Sequence, residues 1–449
     1  MTRRMSLAAT FAGPVLVVLA MSKVHAAWVA DPPYDYTGSF RFAWSIAYIA
    51  LLLVTTYGLG LPDLARSNGA ALRMAAAASG ASAVGISLVQ LIVGDSLLPR
   101  FVVLSAALLL IPWHVGVSAL VRRAHGRDAD RDRIVLVASD AEAARLTDER
   151  RSVPEKPWRL ERHLRPSEVS GHASGRQLVD TVMDGATVVV LDRTALLDEG
   201  VVAQAGAVHE FGIRVRTLQQ FYEEWLAKLP LSELERSSLL FDIAEVHRVR
   251  YGRAKRLLDL AGGLLGLVPY LLVMPVVWLG NLAGSRGPLF YRQERVGRNG
   301  RRFTILKFRT MLPEDRSATT GSGGSPWTAE DDPRITPFGR FLRRSHLDEL
   351  PQVWNVLRGD LSLVGPRPEQ PRYVLQLSET LPFYGMRHLV RPGLTGWAQV
   401  KYGYAGDEDD ALEKLQYEFF YLRHQSFVFD LKVLGRTIRS VLGSEGAGR

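Results

Sequence analysis

Apolar residues are spread unevenly along the chain. Four apolar segments open it, at about Ser6–Met21, Phe42–Leu61, Ala75–Val93 and Phe101–Leu120. Each is about as long as a bilayer-crossing helix, the first slightly short. The first also has the marks of a signal peptide, with Arg3 and Arg4 before it and Ala26-Ala27 after it. Charge orients the set. Arg3, Arg4, Arg66, Arg73, Arg122 and Arg123 fall on one side of a four-helix transmembrane region, and Asp31, Asp35 and Asp95 on the other, with Lys23, Arg41 and Arg100 counting against the assignment. The positive-inside rule puts the N-terminus and everything after Leu120 in the cytoplasm. Removal of the first segment would leave that second conclusion unchanged.

Residues 121–245 turn to the pattern of a cytoplasmic α/β module. Ile134–Ala138 and Thr187–Leu191 are short β-branched runs of the kind buried in parallel sheets, and Ile213–Val215 is a weaker third. Polar helical stretches between them give a Rossmann-like strand–helix–strand order. The turn Ala138-Ser139-Asp140-Ala141 lacks a Gly-rich phosphate loop, so the module reads as structural or regulatory.

A second apolar block, Leu257–Ala283, is long enough to span. Arg250, Arg253, Lys255 and Arg256 precede it, and Arg286, Arg292, Arg295, Arg298, Arg301 and Arg302 follow it. A crossing would put one cluster outside, against the positive-inside rule. Pro269 and Pro275 favour a bend. The pattern predicts a re-entrant helix at about 257–283, with a fifth span as the alternative. Further on, Thr319–Ser325 is a Gly/Ser-rich loop. Tyr417–Leu442 has helical spacing, with Phe420, Leu431, Leu434 and Ile438 on its apolar side and Lys432, Arg436 and Arg439 among the polar positions. That suits a helix at the membrane surface or one packed as core. The domains are therefore 1–120, 121–245 and 250–449.

Composition narrows the chemistry. The net charge of +9 comes from 55 Lys and Arg against 46 Asp and Glu. Such a balance fits nucleic acid, anionic lipid or phosphate. No nucleic-acid motif is present, and the membrane segments favour lipid and phosphate. The chain has no cysteine, which excludes disulfides and thiolate metal sites.

The stretch Ser345-His346-Leu347-Asp348-Glu349-Leu350-Pro351-Gln352 concentrates the candidate chemistry. Pro351 fits a first helical turn, which places Asp348 and Glu349 at or just before a helix N-terminus, where acids commonly sit as caps. The surrounding cations add to this. Arg343 and Arg344 lie just before the pair, Lys307 and Arg309 fall in Leu306–Met311, Arg367 in Gly365–Pro368, and Arg391 in Arg391–Trp397. Rigid Pro/Gly turns hold guanidinium groups well for phosphate recognition. Two carboxylates among such cations can bind a divalent ion or attack phosphorus.

From Lys255 to the C-terminus, the chain resembles the bacterial sugar transferase family, the polyprenyl-phosphate hexose-1-phosphate transferases or monotopic phosphoglycosyl transferases. The motifs are Lys255-Arg256-Leu257-Leu258-Asp259, Arg292-Gln293-Glu294-Arg295-Val296-Gly297, Lys307-Phe308-Arg309-Thr310-Met311 and Asp332-Pro333-Arg334-Ile335-Thr336. Leu347–Gln352, Leu363–Pro368 and Arg391–Val400 continue them in order. The resemblance implies a C-terminal mixed α/β monotopic catalytic domain with a re-entrant membrane helix. It implies that Asp348 is the nucleophile, that Glu349 is its partner acid, and that Mg2+ is the metal with Asp348 as a ligand. Arg343 matches a phosphate-contacting arginine, Arg367 falls in the family's Gly-Pro-Arg-Pro turn, and Lys307, Arg309 and Arg391 take a general phosphate or substrate role. Two departures stand out: the family's Ser-Pro pair at the helix bend would fall near Leu271-Leu272, and Val400 is followed by Lys401-Tyr402-Gly403 where many members have Asn-Gly.

The implied activity is transfer of a sugar-1-phosphate from a UDP-sugar, such as UDP-glucose or UDP-galactose, to undecaprenyl or another polyprenyl phosphate, releasing UMP through a phosphosugar-aspartyl intermediate. It would initiate exopolysaccharide, capsule or O-antigen synthesis at the bacterial inner membrane, with the catalytic domain cytoplasmic. Homo-oligomerisation and contacts with other polysaccharide-assembly proteins stay open. The alternatives are a catalytically silent membrane scaffold or regulator, against which the intact Asp348-Glu349 pair speaks, and a nucleotide-sugar-modifying enzyme centred on residues 121–245.

Overall fold

The computed structural model describes residues 3–62, 65, 67–93, 98–125, 132–149, 154–170, 176–230, 248–284, 287–312, 334–402 and 408–442. The Thr319–Ser325 loop and the Asp332-Pro333 pair lie outside them. The chain divides into two compact units. One comprises Met1–Ala124, Val246–Ala411 and Gln425–Arg449; the other comprises His125–Glu245 and Leu412–His424.

The first unit begins with four long helices, α1 (Arg3–Val24), α2 (Phe40–Gly58), α3 (Asn68–Val93) and α4 (Arg100–His125). Each contains a stretch long and apolar enough to cross a membrane, as does a fifth stretch, Tyr251–Leu282. Val18, Tyr48, Leu52, Ile86, Val102 and Leu110 form a common core among the four. Small hydroxyls pair inside it, Ser22 with Ser45 at 3.1 Å and Thr55 with Ser82 at 2.7 Å. Such pairs satisfy polar groups that lipid could not.

The second unit holds a parallel sheet of strands β1 (Asp132–Val137), β2 (Trp158–Leu164), β3 (Val188–Leu191) and β4 (Arg214–Thr217), in the order β2-β1-β3-β4. The helix α5 (Asp140–Asp148) follows β1 and α6 (Glu199–Glu210) precedes β4. β1, β3 and β4 coincide with the three runs predicted from the sequence, whereas β2 has no such signal. Its Trp-Arg-Leu-Glu-Arg-His-Leu run lies at the sheet edge with charged side chains outward, whereas β1 and β3 are buried on both faces. The Asp192 carboxylate accepts hydrogen bonds from Ser139 N at 2.8 Å and Ala195 N at 2.8 Å. In nucleotide-binding sheets a phosphate uses amides of this first turn; here one is already taken by a carboxylate. Lys228 is fully buried with Glu149 and Glu413, and Glu223 pairs with Arg423 and His424, each at 3.0 Å. Leu412–His424 is thereby fastened to the α/β unit.

Returning to the first unit, α7 runs Arg248–Gly284 as one 37-residue helix with Pro269 and Pro275 inside. It is followed by the hairpin β5 (Phe290–Val296) and β6 (Arg302–Phe308), then α8 (Pro337–Arg344) and α9 (Val353–Arg358). Next come β7 (Ser362–Val364), α10 (Pro371–Thr380) and β8 (Gly393–Thr395), which pairs in parallel with β7. The predicted Tyr417–Leu442 helix is instead two, α11 (Glu408–Arg423) and α12 (Phe427–Leu442). The chain breaks at His424-Gln425-Ser426, and Ser426 Oγ accepts from Phe429 N at 3.2 Å to start α12. The two pieces go to different units, and α12 packs on α2. At the crossing Gly435 meets Gly58 so closely that a Cβ on Gly435 would lie 2.1 Å from the Gly58 Cα.

Candidate active site

The first family motif fastens α7. Lys255 Nζ and Tyr251 Oη both donate to Asp430 Oδ2 at 2.8 Å, holding α12. Arg256 donates to Val356 O and Leu357 O at 2.7 and 2.6 Å, covering the carbonyl end of α9. Asp259 is fully buried and accepts from Ser362 Oγ at 2.8 Å and Leu363 N at 2.9 Å. One helical turn thus reaches three later elements. At the other end of α7, Gly280 lies against Phe338 and Asn281 donates to Arg309 O at 3.5 Å.

The short elements around residue 348 follow from local chemistry. Thr336 Oγ1 caps α8 by accepting from Gly339 N at 2.9 Å. Gly339 presses on the preceding segment, where a Cβ would lie 2.0 Å from Thr310 O. Arg343, in the last turn of α8, donates to Thr310 Oγ1 at 3.1 Å and to Met311 Sδ at 3.3 Å. His346 then takes a left-handed conformation (φ 55°) and ends the run. Leu347–Gln352 forms a 3₁₀ helix that leads into α9. Asp348 and Glu349 therefore sit in 3₁₀ geometry rather than at an α-helix N-terminus. Pro351 has no amide to give to an α-type bond here. Asn355, on α9, pins this segment to β6 by donating to Thr304 O at 2.8 Å and accepting from Leu306 N at 3.2 Å.

The two acids meet different surroundings. Asp348 is 8% exposed. Burial raises its pKa first, and the Glu349 charge adds to this, so it reaches about 6 despite Lys307, Arg343 and His346. Its carboxylate makes no hydrogen bond or close ion pair among the described residues. Glu349 is also penalised by burial, but Lys307 and then Arg367 outweigh this and lower its pKa to about 2. Lys307 Nζ lies 2.6 Å from Glu349 Oε1, and Arg367 Nη2 lies 4.0 Å from the same oxygen.

Of the sequence-selected cations, Lys307, Arg343 and Arg367 gather at the pair. Arg309 is placed otherwise: 7% exposed, it donates through Nε to Pro288 O at 2.7 Å and packs beneath Gly287. Arg391 faces Arg256, Asp259 and Arg298, and burial lowers its pKa. Arg295, Asn355 and Arg387 are not among the site residues predicted from the sequence. Arg295 and Asn355 lie inside or beside quoted motifs. Arg387 stands in Tyr384–Leu389, a short 3₁₀ helix without periodicity to flag it.

An apolar helix long enough to cross a membrane is thus fixed at both ends to a domain that presents two unlike carboxylates among cations. The bacterial sugar transferase family matches residues 250–444. The "UDP-N-acetylgalactosamine-undecaprenyl-phosphate N-acetylgalactosaminephosphotransferase" of Aeromonas hydrophila is 44% identical over 163 residues, 36% of this chain and 37% of that protein. The "UDP-glucose:undecaprenyl-phosphate glucose-1-phosphate transferase" of Xanthomonas campestris pv. campestris is 41% identical over 187 residues, 41% of this chain and 37% of that protein. The "Uncharacterized sugar transferase EpsL" of Bacillus subtilis (strain 168) is 39% identical over 198 residues, 43% of this chain and 89% of that protein. The chain belongs to the bacterial sugar transferase family, and its matches to the first two relatives span just over a third of their length.

Proposed function

We propose that the protein transfers a sugar-1-phosphate from a UDP-sugar to undecaprenyl phosphate, so starting the lipid-linked assembly of an exopolysaccharide, capsule or O-antigen at the bacterial inner membrane. The observation that carries this reading is the contrast within the Asp348–Glu349 pair. Asp348 is buried, unbonded and more basic than an ordinary aspartate, while Glu349 is held ionised by Lys307. A more basic carboxylate is the better nucleophile.

In this mechanism an Asp348 oxygen bonds to the sugar-linked phosphorus as the bridging P–O bond to the other phosphate breaks. UMP leaves with the bridging oxygen. An oxygen of undecaprenyl phosphate then bonds to the same phosphorus, and the Asp348–phosphorus bond breaks. Arg343 and Arg367 face the developing phosphate charge. Lys307 holds Glu349 ionised beside the reacting carboxylate, where Glu349 can position groups.

Mg2+ fits the donors present. It commonly takes one or two carboxylates and completes its shell with substrate phosphates and water, and Asp348 offers a hard oxygen with no competing hydrogen bond. Among the described residues no cluster of three or more His, Asp or Glu could hold a metal alone, so the diphosphate would complete the site. When bound, the ion would neutralise diphosphate charge.

The placement of α7 supports a re-entrant helix with the catalytic domain in the cytoplasm. From Arg256 to Asn281 a straight helix would cover about 38 Å, more than the roughly 30 Å hydrocarbon core. Yet both positions bind backbone of the elements that carry the site, Val356 on α9 and Arg309 just after β6. Leu264, Leu271, Leu272, Val276, Trp278, Leu279 and Leu282 are each more than half exposed, the surface a bilayer would cover.

Incubation with a panel of UDP-sugars and Mg2+, without lipid, should release UMP and leave the protein heavier by one sugar phosphate on Asp348. No adduct under rapid quench, with UMP still released by Asp348→Asn, would point to another nucleophile or a single displacement. Single cysteines at Ser237 and Ser317 should both resist an impermeant thiol reagent in intact cells; labelling of one alone would mean that α7 spans.

A further inference from the structure

The turn Gly365-Pro366-Arg367-Pro368-Glu369 creates a hydrogen-bonding deficit. Pro366 and Pro368 carry no amide hydrogen, so the turn cannot close on itself at those positions. Its carbonyls need donors from outside. Four successive carbonyls each receive one. Pro366 O accepts from Gly393 N at 2.9 Å, and Arg367 O from Arg387 Nη2 at 2.9 Å. Pro368 O accepts from Arg295 Nη1 at 3.1 Å, and Glu369 O from Val296 N at 2.9 Å.

Two of these donors are guanidinium groups. Arg387 is 5% exposed, and the Arg295 side chain is 15% exposed. Burying a cation is costly unless it is paired and hydrogen-bonded, so each is braced in turn. Arg387 donates through Nη1 to Tyr384 Oη at 2.7 Å, with its guanidinium 5.0 Å from that ring's centre. Arg295 donates to Gln293 Oε1 at 2.6 Å and stands 3.8 Å from the Glu369 carboxylate. A planar guanidinium can bond two acceptors at a fixed angle, which a lysine cannot reproduce. The carbonyls on which the two arginines close, of Arg367 and Pro368, are the two that directly follow the Arg367 Cα. That residue's side chain reaches within 4.0 Å of Glu349.

We infer that Arg387 and Arg295 are positioning residues for sugar-phosphate transfer, setting Arg367 at the Asp348–Glu349 pair by holding the carbonyls of its turn. This rests on the transfer reading above, in which Arg367 meets phosphate. Neither arginine is assigned contact with the reacting atoms.

The test is a double-mutant cycle on the full chain in lipid nanodiscs that carry undecaprenyl phosphate, with steady-state UMP release from a UDP-sugar as the assay. Arg387→Lys should lower kcat about tenfold, since misplacing a phosphate-binding group by about 1 Å can cost up to a hundredfold, and should leave KM within about twofold. In the Arg367→Lys background the same change should cost less than about twofold, because residues acting through one group are not additive. Effects that multiply would overturn the inference. Hydrogen exchange of the peptide spanning 362–372, without substrate, should be faster in Arg387→Lys; unchanged exchange would show no clamp. Faster exchange with an unchanged kcat would show a clamp that positions nothing for transfer. Tyr384→Phe loosens Arg387 more gently, should cost about threefold in kcat, and decides the matter by the same cycle if Arg387→Lys does not fold. A wild-type protein that releases no UMP from any UDP-sugar would overturn the transfer reading and the catalytic part of this inference together, while exchange would still judge the clamp.

Discussion

At the scale of single residues, two neighbouring acids differ because of what lies within reach of each. Glu349 has Lys307 at 2.6 Å; Asp348 has burial and a like charge. In protein stripped of divalent cations, Asp348 should take up a proton as pH falls through about 6, while Glu349 stays ionised down to about 2. An infrared pH-difference spectrum of wild type against Asp348→Asn reads this directly. Glu349→Gln removes the neighbouring negative charge, so the Asp348 midpoint should move to lower pH. A midpoint that stays put would assign the whole rise to burial. The adjacent carboxylates and their arginines were legible as residue types. Which cation takes which acid was not. Lys307 lies 42 residues before Glu349, and they meet through tertiary ties such as the pinning of β6 by Asn355 and the packing of Phe308 with Leu347 and Leu350. Arg309, two residues on, has the same charge and ends beneath Gly287 instead.

At the scale of elements, apolar length and β-branched runs were readable because burial on both faces leaves a continuous signal. The edge strand β2 and the break at His424-Gln425-Ser426 left none, being decided by tertiary partners. The Lys255-to-Asp259 motif was recognisable but mute about its work, which is to fasten α7 to three elements far along the chain. Lys255 and Asp430 form a buried pair, with side chains 13% and 0% exposed. Removing one partner of such a pair costs roughly 3–5 kcal/mol, and replacing both by apolar residues costs much less. Lys255→Met should therefore destabilise the protein more than Lys255→Met combined with Asp430→Leu does, as read by thermal unfolding in nanodiscs. At the α2–α12 crossing, Gly435→Ala should cost about 1–3 kcal/mol, since overpacking forces backbones apart. An unshifted midpoint would mean that this crossing contributes nothing to stability.

At the scale of the molecule, the matched family region, residues 250–444, does not coincide with either compact unit. Its helix α12 packs on α2, and Leu412–His424 is counted with the α/β unit. A chain starting at Arg250 keeps Lys307, Arg343, Asp348, Glu349 and Arg367 and should retain transfer activity. It loses Gly58 beneath Gly435, and Lys228 and Glu223 beside Glu413 and Arg423, so its thermal midpoint should fall by several degrees. Complete inactivity in a folded, membrane-bound truncation would show that the first 249 residues supply catalytic or acceptor groups.

The fastening of α7 also sets a schedule for synthesis. Asp259 finds its partner Ser362 only 103 residues later, and Lys255 finds Asp430 only 175 residues later. At about 5–20 residues per second, a ribosome needs roughly 5–20 s to supply the first and up to about 35 s for the second. Until then two charges near the start of an apolar helix, a lysine and an aspartate, await the residues that bury them in the folded protein. A chain cut short before residue 362 would therefore hold this helix with neither charge yet joined to the residues that bury it in the folded protein.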